Sequence, residues 1–380
     1  MSETIFDAEL PVEIVHLYVY DIGRSVDLKK AASRIPAHPD IGFAKRRDTP
    51  ASLTLPKPLV LALSTEECDA DCFERFTAQA KIYDDGALTL VIRVKVRVGF
   101  SELHLVRNRT IISNGETMTL NRYADESFRK LYEAIKPAIN GSPVGGEWDR
   151  ETYTAYCLLE CPERDPALFI SKYRDFAASL LAGEEPGILH ESQIRQTLEK
   201  PISYRKDDIA IFDMDRCLIV DPAADYEDLL LIAEHANYRL LELRVLDARL
   251  DSWLEDAERD LSRIYIQSAK AKKFRDNAQV KFARIQSLRF DALFILENLD
   301  NSSKIIGDYY LGQVYTQLCT IFNTEAWKLS VERRLDALQE VYDMVKTDTG
   351  ERRMVTLEIV FIVVCIILPL IQILQVMISG

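Results

Sequence analysis

From Ile359 to Ile378 the chain runs for twenty residues without a charge, IVFIVVCIILPLIQILQVMI, and only Ser379 and Gly380 follow. A helix rising about 1.5 Å per residue over that length spans roughly 30 Å, the hydrocarbon thickness of a bilayer. This segment constrains the fold more than any other, and it predicts a single membrane-spanning tail over 355–378. Pro369 is tolerated in such a helix where neighbours satisfy the freed carbonyl. The amides of Gln372 and Gln375 call for a partner helix or an interfacial position. Together these three residues support the competing reading, a buried core helix. Lys346, Arg352 and Arg353 precede the segment and no basic residue follows it. Positive charge stays on the cytoplasmic side, so the bulk of the chain is expected to face the cytoplasm, at a bacterial inner membrane or an organelle membrane. The N-terminal MSETIFDAELP is acidic and has no apolar run, so a secretory signal is not expected.

The rest of the chain has an ordinary globular composition, 48% hydrophobic and 28% charged, which excludes disordered and fibrous classes. With 47 basic and 60 acidic residues the net charge is −13, which argues against a general nucleic-acid binder. Seven Cys in 380 residues do not make a disulfide framework.

Residues 1–222 alternate short β-rich and helical runs. Val12–Tyr20 reads as a strand, and the stretch after Asp27 as a short capped helix. Apolar residues alternate over Phe76–Ile82 and Ile92–Val98 on either side of Asp84-Asp85-Gly86, which predicts a hairpin with one apolar and one basic face. Tyr123–Ile139 reads as an amphipathic helix. From Tyr153 the pattern returns, with a strand, a helix over Asp165–Ser179, and the run IAIFDMDRCLIV matching IYDDGALTLVI. These features predict an α+β fold built as a duplicated β-α-β-β antiparallel domain. After Pro222 there is no proline up to Lys346. Leu229, Ala236, Leu243, Leu250, Ala257 and Ile264 recur every seven residues, with Ile232, Leu246 and Trp253 between them, so 223–346 is expected to be a helical hairpin or coiled-coil stalk. Further seams run through Ala278–Leu299 and Val331–Val345.

Three groups of residues bear on chemistry. Ile211–Asp221, IFDMDRCLIVD, resembles the opening motif of haloacid-dehalogenase-like phosphatases, in which Asp213 and Asp215 would be nucleophile and general acid beside magnesium. Arg216 and Cys217 replace the Gly and Thr of that motif, and no later Lys and Asp motifs follow, so a hairpin turn is the default expectation. The pairs Cys68/Cys72 and Cys157/Cys161 have three-residue spacing, unlike zinc ribbons, and read as ordinary thiols. No histidine spacing or glycine-rich phosphate loop is present, so no cofactor or metal is announced. Lys270, Lys272, Lys273, Arg275, Lys281, Arg284 and Arg289 lie within twenty residues holding one acid, Asp276. That patch reads as a solvated helix face, an attraction to anionic headgroups, or an RNA contact. Lys45, Arg46, Arg47 and the Arg93/Lys95/Arg97 strand face could extend it.

The helix RRLDALQEVYDMV, followed by LEIVFIVVCIILPLI, resembles the family called required for meiotic nuclear division, with Arg333-Arg334-Leu335 and Leu357-Glu358 at matching places. Ile359 stands where that family has Trp, and the Asn before the Arg-Leu pair is missing. Val19–Ser33 is similar to segments of the same family. The resemblance implies a tail-anchored, oligomer-forming membrane protein without a catalytic motif, in a family whose eukaryotic members are associated with mitochondrial membranes and translation. The expected function is therefore a non-enzymatic membrane scaffold or tether. It would self-associate through the seam of Leu229, Leu243, Leu250, Trp253 and Ile264, aided by Gln372 and Gln375. Its expected partners are a second copy, a membrane and an unidentified protein, with a nucleic-acid or ribosome contact running against the overall charge. An oligomeric ion pathway with the outline of CorA-type magnesium transporters is the alternative, although the chain lacks their second membrane helix and Gly-Met-Asn loop. The phosphatase reading stands third.

Overall fold

A computed structural model describes residues 9–35, 42–43, 58–63, 65, 68–69, 73–113, 115–141, 150–266, 289–290, 292–293, 296, 308–340, 343 and 358–361. The expected hairpin forms. Strands β6 (Arg75–Ile82) and β7 (Ala87–Gly99) pair antiparallel with Ile82 opposite Leu88. Gly86 closes the turn at φ +95°, where a Cβ would run into the Gly23 carbonyl, so only glycine fits. β7 pairs along its whole length with β1 (Glu9–Asp21), whose other edge pairs with β11 (Arg150–Leu158). Strands β3 (Gly42–Phe43) and β4 (Leu59–Leu63) extend the sheet beyond β6. Strands β12 (Ile209–Phe212) and β13 (Arg216–Val220) close the other side, giving the order β12-β13-β11-β1-β7-β6-β4-β3. Two small sheets flank it: β2 (Ser25–Val26) with β10 (Ile139–Asn140), and β5 (Cys68–Asp69) with β8 (Thr110–Ser113) and β9 (Glu116–Thr119).

The α+β class holds, but the main sheet is mixed rather than antiparallel, because β13 lies parallel to β11 with Ala155 beside Cys217. A parallel pair needs a long crossover. The helices α3 (Pro166–Lys172), α4 (Arg174–Ala182) and α5 (Glu191–Thr197) supply it. The strand order sets β1 and β11 at the centre with a hairpin outside each, as a duplication would. However, β7 is antiparallel to β1 while β13 is parallel to β11, so the two halves do not repeat each other.

One face of the sheet carries the even residues of β1 and β7, among them Val12, Ile14, Tyr18, Leu90, Ile92 and Val94. It is covered by α1 (Leu28–Arg34), by a 3₁₀ turn over Phe100–Asn108, by α2 (Leu120–Ile135), and by α3 and α4. The Asp27 side chain caps α1 by accepting from Lys30 N at 3.0 Å, as the sequence suggested. The opposite face carries Val15, Leu17, Val91, Tyr153 and Cys217. It packs against α6 (Glu227–Ile266) and α7 (Tyr309–Ile321). The Asp221 carboxylate turns the chain from β13 into α6 by accepting from Ala223 N at 2.9 Å and Asp225 N at 2.8 Å.

The chain divides into two compact units, Met1–Val245 with Ile295–Lys328, and Leu246–Phe294 with Leu329–Gly380. The expected stalk boundary at 222/223 falls inside the first unit, where α6 and α7 serve as the roof of the sheet. In the second unit Leu250, Ala257, Val331, Leu335 and Leu338 are buried. There Arg334, on the helix over 324–340, pairs with Asp247 and reaches Asp251 at 3.5 Å, and Ser330 Oγ donates to Asp247 at 3.0 Å.

The membrane tail is corrected by the structure. Among the described residues no helix is long and apolar enough to cross a membrane. Of the expected span only Glu358–Phe361 is described, as a short helical stretch, and Gln372 and Gln375 lie outside the described residues. The membrane and tail-anchor assignments are therefore not supported.

Candidate functional site

The Asp213–Asp215 turn joins two paired strands, with Phe212 opposite Cys217, and is not the strand-to-helix loop that a phosphatase needs. Asp213 Oδ1 accepts from Met214 N at 2.8 Å, and Asp213 N donates to the Arg216 carbonyl at 2.8 Å. Tyr153 Oη ties the turn from below, donating to the carbonyls of Arg216 at 3.0 Å and Asp213 at 3.2 Å. Burial raises the Asp213 pKa, against the hydrogen bond from Met214 N and with the charge of Asp215 adding to the shift. No group of three or more His, Cys, Asp or Glu that could hold a metal occurs among the described residues. The two aspartates thus shape a hairpin. Cys157 and Cys217 are buried, and Cys161 is half-buried, all as free thiols, while Cys72 lies outside the described residues.

Arg216, the residue after this turn, lines one side of a cleft. Thr154 lies opposite His16 on β1 and beside Arg216 on β13, so His16, Thr154 and Arg216 form one row on the face covered by α4. His16 Nδ1 lies 3.2 Å from Thr154 Oγ1, and burial lowers the His16 pKa to about 4, so the ring is neutral at pH 7. Arg216 Nη1 donates to the Leu181 carbonyl at 3.1 Å, near the C-terminus of α4, where a cation is favourable. Gly183 ends α4 at φ +74°, and a Cβ there would strike the Arg216 guanidinium, so glycine meets both the left-handed backbone and the close approach. Around Arg216 a cleft of about 530 Å³ is lined by His104, Leu105, Tyr156, Ser179, Glu184, Glu185 and Ile188, among others.

Sequence reasoning treated Arg216 only as a departure from a phosphatase motif. Its row with His16 and Thr154 depends on a parallel pairing between strands about sixty residues apart, which no local pattern announces.

The opposite face carries the expected basic residues, and they are not free. Arg93 makes two bonds to Glu227 of α6, each 2.7 Å, and one to Glu13 at 3.1 Å. Tyr226 Oη donates to the same Glu13 carboxylate at 2.8 Å. Lys81 pairs with Glu234, which also accepts from Tyr83 Oη at 2.7 Å. Arg244 pairs with Glu151, Lys95 approaches Glu13 at 3.9 Å, and Arg97 lies 3.6 Å from Glu74. The expected basic strand surface is thus corrected, because acids of α6 and of β1 neutralise it from above and beside. Charge complementarity between roof and sheet, invisible to period-2 reading, replaces solvation at Arg93 and Lys81.

Within the seam, Leu229 packs in the core beneath the roof, Leu243 and Leu250 are fully buried in the single chain, and Trp253 is half-buried. Ile264 lies in α6, where its backbone alone is described. Of the basic run only Arg289 is described, and it donates to Gln339. Lys270, Lys272, Lys273, Arg275, Lys281 and Arg284 lie outside the described residues, as do Lys45, Arg46 and Arg47.

A mixed eight-stranded sheet with helices on both faces and a cleft at Arg216 defines an α+β protein. Residues 12–227, more than half of the chain, match the family model described as Uncharacterized protein MJ0711, N-terminal domain, and the chain belongs to that family. The matched span opens in β1 and closes at the first residue of α6, so it holds the main sheet and the cleft. The chain is similar to Uncharacterized protein MJ0711 of Methanocaldococcus jannaschii, 28% identical over 201 residues, which is 53% of this chain and 59% of that protein. The match thus spans about three fifths of that relative's length. No solved structure matches. These matches do not bear on the likeness to the required for meiotic nuclear division family.

Proposed function

We propose that this protein is a non-enzymatic scaffold that joins a second copy of itself through its second unit and presents the α+β unit as a rigid platform. One observation carries the reading. In the second unit Phe290 is 70% exposed and Leu293 is 48% exposed, one helical turn apart, while Ala292 between them is buried. An aromatic and a leucine left outward on a helix whose inner side is already packed suit a homotypic contact. The heptad positions Leu229, Leu243 and Leu250 are less suited, because the single chain already buries them. In the α+β unit several charged groups are engaged in structure: Asp213 closes its own turn, and Glu13, Glu227 and Glu234 hold Arg93 and Lys81.

The test is native mass spectrometry of the full chain beside Phe290→Asp/Leu293→Asp. The wild type is expected as an oligomer at micromolar concentration, and the double variant as a monomer with unchanged circular dichroism. A monomeric wild type, or a double variant that still associates, overturns the reading.

A further inference from the structure

The cleft beside Arg216 has a chemistry that the scaffold reading does not use. Ser179 on α4 is completely buried and lines the cleft, and its Oγ has no hydrogen-bond partner. A buried hydroxyl without a partner costs about 1–3 kcal/mol, so its retention at a cleft wall points to a partner that arrives from outside. Arg216 enters the same cleft bonded to the Leu181 carbonyl, and among the described residues it forms no ion pair with a carboxylate. Its planar fork retains donors suited to a carboxylate. His104 Nδ1 lies 2.9 Å from the Ser101 carbonyl, which can only accept, so Nδ1 carries the proton. Two acids, Glu184 and Glu185, stand on the wall along with Arg216, and two aliphatic side chains, Leu105 at 57% and Ile188 at 61% exposure, complete the lining.

We propose that this cleft binds a small zwitterion of the α-amino-acid class with an aliphatic side chain. The carboxylate would meet the Arg216 guanidinium and the Ser179 hydroxyl, the ammonium the carboxylates of Glu184 and Glu185, and the aliphatic group Leu105 and Ile188. A plain anion satisfies Arg216 but leaves two acids on the wall, and a plain amine leaves Ser179 and the remaining Arg216 donors without an acceptor. Only a ligand carrying both charges answers the whole wall. The volume, about 530 Å³, admits an amino acid together with ordered water.

The experiment is isothermal titration of the full chain with leucine, isovalerate and isoamylamine, three probes that share one branched chain and differ only in their charges. Leucine is expected to bind at least tenfold more tightly than either of the others. Arg216→Gln is expected to lose leucine binding by tenfold or more. Ser179→Ala, which alters no backbone contact and keeps the chain folded if Arg216→Gln does not, is expected to weaken it severalfold. Absence of heat with leucine on the wild type, equal affinity for isovalerate, or unchanged leucine affinity in Ser179→Ala each overturns the proposal.

Discussion

The two faces of one sheet use opposite means to hold their helices. On the face beneath α2, α3 and α4, β1 and β7 present Val12, Ile14, Leu90, Ile92 and Val94, and the helices answer with Phe128, Phe169 and Leu180. Aromatic rings lock this side: Tyr20 stacks on Phe128 with centroids 3.9 Å apart, and Phe169 meets Phe100 edge to face at 5.0 Å. Polar groups enter only at its margin, where Tyr20 Oη donates to Asp125, which also pairs with Arg150. On the α6 face an apolar centre around Val15, Leu17 and Ile232 is bordered by charges, Arg93 with Glu13 and Glu227, and Lys81 with Glu234. The first face gains stability from area removed from water, a non-directional effect. The second needs each cation under a particular acid, so it specifies where α6 lies, and removing one partner leaves a charge stranded.

If that contrast is right, the largest single loss comes from the apolar face. Phe169→Ala, which empties a completely buried site, is expected to lower unfolding stability by about 4 kcal/mol in urea melts. A loss below about 1 kcal/mol would mean that the face collapses to fill the hole and is not closely packed. On the charged face Arg93→Met is expected to cost about 3 kcal/mol, because Glu13 and Glu227 lose their shared cation. Adding Glu13→Gln should return part of that loss. Arg97→Met, whose pair with Glu74 is half exposed, serves as the control; if it costs as much as Arg93→Met, the roof is not held by placed charges.

The smallest effect concerns pH. Burial, with the charge of Glu242 next in size, raises the Asp85 pKa to about 7, while Arg239 opposes the shift. Between about pH 4 and pH 7 the folded protein therefore keeps a proton that the unfolded chain has lost. The stability contributed by neutral Asp85 is complete at the acid end and disappears as pH rises through 7. Asp85→Asn and wild type should be equally stable near pH 4, with the variant gaining an advantage of about 2 kcal/mol by pH 8. His16, lowered to about 4, and His235, lowered to about 3, both by burial, act in the other direction. Their stabilisation is present above pH 6.5 and lost as pH falls, so an acid limb should persist in the Asp85→Asn variant. Equal curves for the two proteins from pH 4 to pH 8 would remove Asp85 from the account.

Local order was legible to a large extent. Period-2 alternation and Asp-Gly chemistry located the β6–β7 hairpin, and Asp27 marked the start of α1. The seven-residue repeat identified α6 as a helix but misled about what covers it, since Leu229 and Ala236 face the sheet and α7. A heptad reports which side of a helix is apolar and is silent on whether a strand, a helix or a second chain receives that side. The basic strand face misled in the same way. Alternate polar residues imply a second face, and only the approach of Glu227 and Glu234 decides whether that face meets water or protein.

By itself, then, the sequence determined the α+β class, the central hairpin, the Asp27 cap and the existence of long helices after Pro222, because each follows from interactions within a few residues. Tertiary structure alone decided the parallel step between β11 and β13, the pairing of the strand cations with α6, and the meeting of Arg216 with Ser179 and Gly183. Those depend on residues tens to hundreds of positions apart, whose encounter is set by how layers pack and by which charges can be buried only in company.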